Sequence, residues 1–431
     1  MNALTSSNNS MMKYVCGIDI GSSKVAACLG GFRGRELTNV WWDSISAVGV
    51  KRGQIQDVQG LTVTLSKLLK NLKAKSGVKI KSAYLGIASP NILAKQSQAV
   101  IALAERGNKS VTKTDIQKVS QQAQILGSRF EDEILHTEPL RYAVDNENEV
   151  TNPLGLYGHQ LKVDLYLICA KATYINTIIE IIHRLGLRLN EITLSGLAVS
   201  QAVFDPKKVE GLNILCDIGN DITQILIFND GKLIHYQIIT SGGDDLTTNL
   251  SRELNLPYSL AEEVKVSYGC IQNNYESPDK EIIIKKGNTY STLSQNLVIQ
   301  VLSQASGRIA ETIRDTIRPH LLAISSSHIP IKATLYVSGR SACLEGFLEL
   351  LEVVVGIPVK MAKIGNSNLS APLMRHRLMS GKPILNYLAC LGLIAEASNL
   401  SYKSSARPIR DFRSLLFNIP EKVKEIYQEY F

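Results

Sequence analysis

The chain has 431 residues, 45% of them hydrophobic and 20% charged, with a formal net charge of +8. That length exceeds what one compact core usually holds, so at least two lobes are expected. The positive balance suits an acidic partner or an anionic surface; no dense Arg/Lys run interleaves with aromatics, which argues against nucleic acid as a partner.

No apolar stretch is long enough to span a bilayer. The polar start, MNALTSSNNSMMK, lacks the apolar core of a signal peptide, and residues 1–12 read as a disordered tail. None of the seven cysteines forms a C-x-x-C pair, and most lie in apolar runs. They are expected to be buried, reduced thiols.

In chain order, Tyr14 to Ile20 is a short apolar run ended by Gly21, the pattern of a buried strand. Lys24 to Leu29 is a second strand. Gly30, Gly31 and Gly34 are expected to turn the chain, and Leu37 to Ser44 returns. Asp57 precedes a helix with Leu61, Leu65, Leu68, Leu69 and Leu72 on one face. Ser82 to Ile101 reads as strands. A helix follows to about Leu126, with Thr112 or Thr114 as its N-cap, and Gln160 to Ala170 is again a strand. The helix Ala172 to Leu185 carries Ile175, Ile178, Ile179 and Ile182 on one face.

The opening design then recurs about 200 positions later. Leu212 to Ile218 ends at Gly219, Thr223 to Phe228 follows, and Asn229-Asp230-Gly231 makes a hairpin turn into Lys232 to Ile239. An internal duplication of this size implies two similar lobes with a cleft between them. Helices at Ser259 to Tyr268 and Leu293 to Ala323 flank a strand at Glu281 to Ile284. Thr334 to Ser338 is a buried strand ended by Gly339, with a helix around Leu344 to Leu351. Residues 398–408 are polar and Ser/Lys-rich and read as a linker.

The duplicated turns carry the chemistry. In G-I-D-I-G-S-S-K (17–24), Asp19 at a strand end is placed to hold a hydrated Mg²⁺ through its waters. Gly21 lets backbone N–H groups approach a phosphate, Ser22 and Ser23 add hydroxyl donors, and Lys24 adds a point charge. Asp217, Gly219, Asn220 and Thr223 repeat that chemistry from the other half. Gly242 and Gly243 open a helix, which suits a phosphate or is a plain helix start. Ser338, Gly339 and Arg340 are placed to pack on an adenosine or form a strand-helix turn. Glu262, Glu263 and Lys265 share a polar helix face that serves ribose and base or is simply solvated.

These motifs resemble the actin/Hsp70/hexokinase ATPase superfamily, and more closely the FtsA family of bacterial cell-division proteins. The segments V-K-R-G-Q-I-Q-D (50–57), K-S-A-Y-L-G-I (81–87), E-I-L-H-T-E-P-L-R-Y-A-V-D (133–145), N-P-L-G-L-Y-G (152–158) and L-A-E-E-V-K-V-S-Y-G (260–269) add to the resemblance, which spans about residues 13–400. It implies an α/β fold of actin-like, duplicated ribonuclease H-like lobes around a nucleotide cleft, with an inserted α+β (SHS2-type) subdomain 1C. Subdomain 1A is expected at 13–85 and 168–208, 1C at 86–167, 2A at 209–250 and 331–397, and 2B at 251–330. The resemblance implies ATP and Mg²⁺ as cofactors, actin-like self-assembly and binding of the FtsZ C-terminal peptide at 2B. It also implies recruitment of downstream division proteins and a peripheral place on the cytoplasmic side of the membrane at the division site. A pilus-assembly adaptor of the PilM type, or another actin-fold ATPase, is the alternative.

Two departures from the family pattern stand out. Arg340 takes a place where the family usually has a second glycine. Segment 194–200 offers no acidic or amide side chain to orient water, so hydrolysis is expected to be slow at most.

Arg308 and Arg314 are candidates for the FtsZ peptide or a solvated basic face. At the end of the chain, 409–431 reads as an amphipathic membrane helix with Phe412, Leu415, Leu416, Ile419, Val423, Ile426, Tyr427 and Tyr430 on one face. A helix docked on protein is the other reading of that segment.

Overall fold

A computed structural model describes residues 12–34, 36–104, 107–145, 149–205, 208–271, 280–286, 289–325, 333–373 and 382–402. Residues 1–11 of the expected terminal tail and the whole of 409–431 lie outside these residues.

The first lobe begins with β1 (Lys13–Ile20), β2 (Lys24–Arg33) and β3 (Glu36–Ser46), followed by the small hairpin β4 (Val50–Lys51) and β5 (Gln54–Ile55). Helix α1 (Val58–Ser76) starts at Asp57, whose carboxylate accepts from Gln59 N at 2.9 Å, and stops at Gly77 in the left-handed region (φ 70°). Leu61, Leu65, Leu68 and Leu72 are buried under the sheet, each stabilising the fold by roughly 1.5–3 kcal/mol. Strand β6 (Ser82–Ile87) then joins β1 in parallel.

The inserted module comprises β7 (Ile92–Ala102), β8 (Lys109–Ser110), α2 (Lys113–Gly127), β9 (Asp132–Val144), β10 (Tyr157–Gly158) and β11 (Gln160–Lys171). Its sheet runs β7-β11-β9, with α2 packed on it. Thr112 caps α2 in a reciprocal capping box with Asp115. The chain re-enters the first lobe through α3 (Ala172–Arg184), β12 (Arg188–Leu194) and α4 (Ser195–Val203).

The second lobe opens with β13 (Leu212–Ile218), β14 (Thr223–Asn229) and β15 (Lys232–Ile239). Asp230 and Gly231 both take positive φ (48° and 79°), the two-residue turn that matches strand twist. Helices α5 (Gly243–Glu253) and α6 (Tyr258–Tyr268), hairpin β16 (Glu281–Lys286) and β17 (Thr289–Ser294), and the long α7 (Gln295–Ser325) follow. Next come β18 (Ala333–Ser338), a short 3-10 turn at Arg340–Cys343, α8 (Phe347–Val355), β19 (Val359–Met361), α9 (Ser367–Leu373) and α10 (Leu388–Tyr402).

The two main sheets are ordered β12-β6-β1-β2-β3 and β15-β14-β13-β18-β19. In each, an antiparallel three-strand meander is extended by two parallel strands. The duplication read from the sequence is therefore a duplication of topology.

Three expectations are corrected. Gly30 and Gly31 do not turn the chain; they lie inside β2, opposite Val40 and Asn39, and the turn falls at Gly34 (φ 60°). A Cβ on Gly30 would lie 2.8 Å from Ile394, so this glycine marks close approach of α10 rather than a reversal. Residues 398–402 are helical rather than linker. Subdomain 2A does not run to residue 397: from α9 onward the chain packs on the first lobe, with α10 against β1, β2, β6 and α4. Small residues allow this return, since a Cβ on Gly392 would sit 1.7 Å from Ala198 O.

Candidate functional site

Strands β1 and β13 each end in Asp-Ile-Gly, and in each lobe the glycine N–H closes a tight turn. Gly21 N donates to Lys24 O at 3.1 Å, and Gly219 N to Ile222 O at 2.9 Å. A Cβ would lie 2.9 and 2.7 Å from the same acceptors, so both turns need glycine. The turns face one cavity of about 540 Å³ between the lobes. Its lining includes Asp19, Gly21, Ser22, Ser23, Lys24, Asp217, Gly219, Asn220, Gly243, Glu262, Lys265, Ser338, Gly339 and Arg340.

Asp19 and Asp217 dominate its electrostatics. Burial pushes the Asp19 carboxyl up to about 6; Asp217 adds to the rise, while Ser195 and Lys24 oppose it. Burial likewise raises Asp217, against Ser338, Lys24 and Gln224. Lys24 is pushed down to about 8 by burial, with Asp19 opposing. Two carboxylates that disfavour each other's charge in a common cavity suit a divalent cation. Among the described residues no cluster of three or more His, Cys, Asp or Glu side chains is arranged to ligate a metal directly. A cation here would therefore keep waters and take phosphate oxygens, the habit of Mg²⁺.

Other side chains in the cleft are already engaged. Lys265 is buried, not on a solvated face. It donates to Gly243 O (3.0 Å) and Thr247 Oγ1 (2.7 Å) and pairs with Glu262 Oε2 at 2.6 Å. Burial pushes Glu262 up, and hydrogen bonds from Lys265 and Thr247 outweigh it and hold the carboxyl low. Glu263, next along α6, is not among the lining residues.

The start of α5 does not offer free donors to a phosphate. Gly242 N goes to Asp245 Oδ2 (2.8 Å), Gly243 N to Gly219 O (3.0 Å) and Asp244 N to Asn220 O (2.7 Å). These glycines clasp the second loop, because a Cβ on Gly242 would lie 2.6 Å from two carbonyl oxygens. Thr223 is also displaced from the expected set. It is fully buried, pairs with Ile218 in the ladder and donates to Ser241 O at 2.7 Å. The residue matching Lys24 in the second turn is Ile222.

Four contributors escaped the sequence. Ser195 Oγ, at the start of α4, donates to Asp19 Oδ1 at 2.5 Å. Gln224 lines the cleft, accepts from Gly196 N at 3.3 Å, and is the ladder partner of Asp217. That register places both on one face of the hairpin and was the signal available. Asn386 accepts from Lys24 Nζ. The tip of the β4–β5 hairpin touches both loops: Gly53 N donates to Ser22 Oγ (3.0 Å) and Arg52 N to Asp221 Oδ2 (2.6 Å).

The family model described as cell division protein FtsA matches residues 214–378, and that described as the SHS2 domain inserted in FtsA matches 91–169. The chain belongs to the FtsA family. A cell division protein FtsA of Buchnera aphidicola is 25% identical over 374 residues, covering 86% of this chain and 88% of its own. FtsA of Pseudomonas aeruginosa is 26% identical over 352 residues, covering 81% and 82%. Among solved structures, a PilM-PilN type IV pilus biogenesis complex superposes with TM-score 0.60 at 15% identity, covering 91% of this chain and 99% of the other. MreB 5 of Spiroplasma citri bound to AMPPNP does so with TM-score 0.51 at 11% identity, covering 91% and 98%. The fold is actin-like, with the SHS2 domain of FtsA as its insert.

The remaining candidates sit away from the cleft. On α7, Arg308 donates to Asn249 Oδ1 at 3.0 Å, and Arg314 pairs with Asp315 at 2.9 Å. Both contacts are solvent-exposed and worth little. Six cysteines are buried and Cys343 is partly so. The residues from Phe412 to Tyr430 lie outside the described part, and no described helix is long and apolar enough to cross a membrane.

Proposed function

We propose that this FtsA-family chain binds Mg²⁺–ATP between its lobes and uses the bound nucleotide to hold them together. One observation carries the reading: duplicated turns, each with a half-buried Asp at a strand end, converge on a single cavity. Gly21, Ser22, Ser23, Lys24, Gly219 and Asn220 hold the phosphates. Asp19 and Asp217 hold the cation through water. Glu262, Ser338 and Gly339 border the adenosine, while Lys265 braces Glu262. Hydrolysis is slow at best, since the side-chain amides that line the cleft are already engaged: Gln224 with Gly196 N, Asn220 with Asp221 and Asn386 with Lys24. Asp217→Ala is expected to abolish nucleotide binding in a calorimetric titration; retained affinity would place the nucleotide elsewhere.

Family membership supports the wider role. The chain assembles as an actin-like filament, binds the FtsZ C-terminal peptide through 2B, recruits later division proteins and ties the FtsZ ring to the inner face of the membrane. The apolar face from Phe412 to Tyr430, flanked by Arg410, Arg413, Lys422 and Lys424, is the anchor. The full chain is expected to pellet with vesicles containing anionic lipid, and a chain ending at Ser405 to stay in solution. Equal behaviour of the two would refute the anchor.

A further inference from the structure

Three cationic side chains line the cleft, Lys24, Lys265 and Arg340. Two are committed: Lys24 to Asn386, and Lys265 to Gly243 O, Thr247 and Glu262. The Arg340 side chain is exposed and, among the described residues, makes no hydrogen bond and joins no ion pair.

Its position is tightly set by the backbone. Gly339 has φ +93°, and a Cβ there would lie 2.0 Å from Ile218 O. The chain thus lies flush on the end of β13, next to the Asp217 turn, and Arg340 opens the 3-10 turn that follows. From there its charge acts on Lys24 across the cleft and on Glu262 on α6. The guanidinium thus lines the same cavity as both phosphate turns, within electrostatic reach of Lys24 and of Glu262. Without an anion between them, Lys24 and Arg340 repel; a phosphate removes that repulsion.

We propose that Arg340 contacts the phosphate oxygens of a bound nucleoside di- or triphosphate, rather than the adenosine. A planar guanidinium forks onto two oxygens of one phosphate, which an ammonium does not reproduce. The proposal rests on the nucleotide reading above. It also makes this position a polyphosphate reader supplied by a side chain, at a turn where a glycine would offer only its backbone.

The test measures the binding of ATP, ADP and adenosine to the full chain with Mg²⁺, by competition against a fluorescent ATP analogue. Wild type is compared with Arg340→Gln and Arg340→Lys. Arg340 is exposed, so neither change disturbs the core. Arg340→Gln is expected to weaken ATP and ADP about tenfold or more, with adenosine within about twofold, and Arg340→Lys to recover part of the loss. Equal weakening of adenosine would mean that the guanidinium serves the base, and would overturn the proposal. Unchanged or tighter ATP binding by Arg340→Gln overturns it while leaving the nucleotide reading intact. A wild-type chain that binds none of the three overturns both.

Discussion

Asp19 and Lys24 sit five positions apart on one hairpin, and their titrations bracket neutrality. Asp19 is raised to about 6 and Lys24 lowered to about 8. Cation binding needs the Asp19 carboxylate, and phosphate binding needs the Lys24 ammonium. Mg²⁺–nucleotide affinity is therefore expected to peak between those values. It falls below pH 6 as Asp19 takes up a proton, and above pH 8 as Lys24 loses one. Dissociation constants measured from pH 5 to 9 check this; a flat profile would mean that neither group meets the ligand.

At the same scale, the sequence exposed what local chemistry dictates. Asp19 and Asp217 were legible because an Asp-x-Gly at the end of an apolar run was written twice. Thr223 was misplaced because the second turn closes one residue before it, which puts that hydroxyl into the ladder's interior. Ser195 and Asn386 reach the cleft only through tertiary packing, and no local pattern announces them.

Among the elements, α10 shows where sequence reading stops. Its apolar residues cover so much of its circumference that no single face declares a partner, and its polar end, Ser398 to Tyr402, resembles a linker. Only the fold shows it buried against the first lobe's sheet and α4. That burial traps Glu396, whose carboxyl is raised to about 7, first by desolvation and then by Glu191 on β12, with His136 on β9 opposing. The fold favours the protonated acid. Its stability contribution is full below the unfolded value near 4.5 and is lost as pH rises through about 7. At about 1.4 kcal/mol per pKa unit, the penalty at pH 8 is ~3 kcal/mol. Glu396→Gln is expected to melt higher than wild type at pH 8 and nearly with it at pH 5. Parallel melting curves at both pH values would show that the carboxyl is solvated.

For the whole molecule, two lobes of equal topology follow from two hairpins of equal pattern, and that much was readable. The return of the chain to the first lobe after β19 was not, because the residues that permit it, Gly17, Gly30 and Gly392, encode space rather than a period. The hairpin tip at Arg52 and Gly53 straps the mouth of the cleft through main-chain nitrogens. The strap from Arg52 crosses from one lobe to the other and ends on the carboxylate of Asp221, so separating the halves stretches that one peptide unit. Because its donor is the backbone N–H, side-chain drift at position 52 leaves the fastening in place. Proline is the exception, since it has neither that hydrogen nor access to the φ of 48° found there.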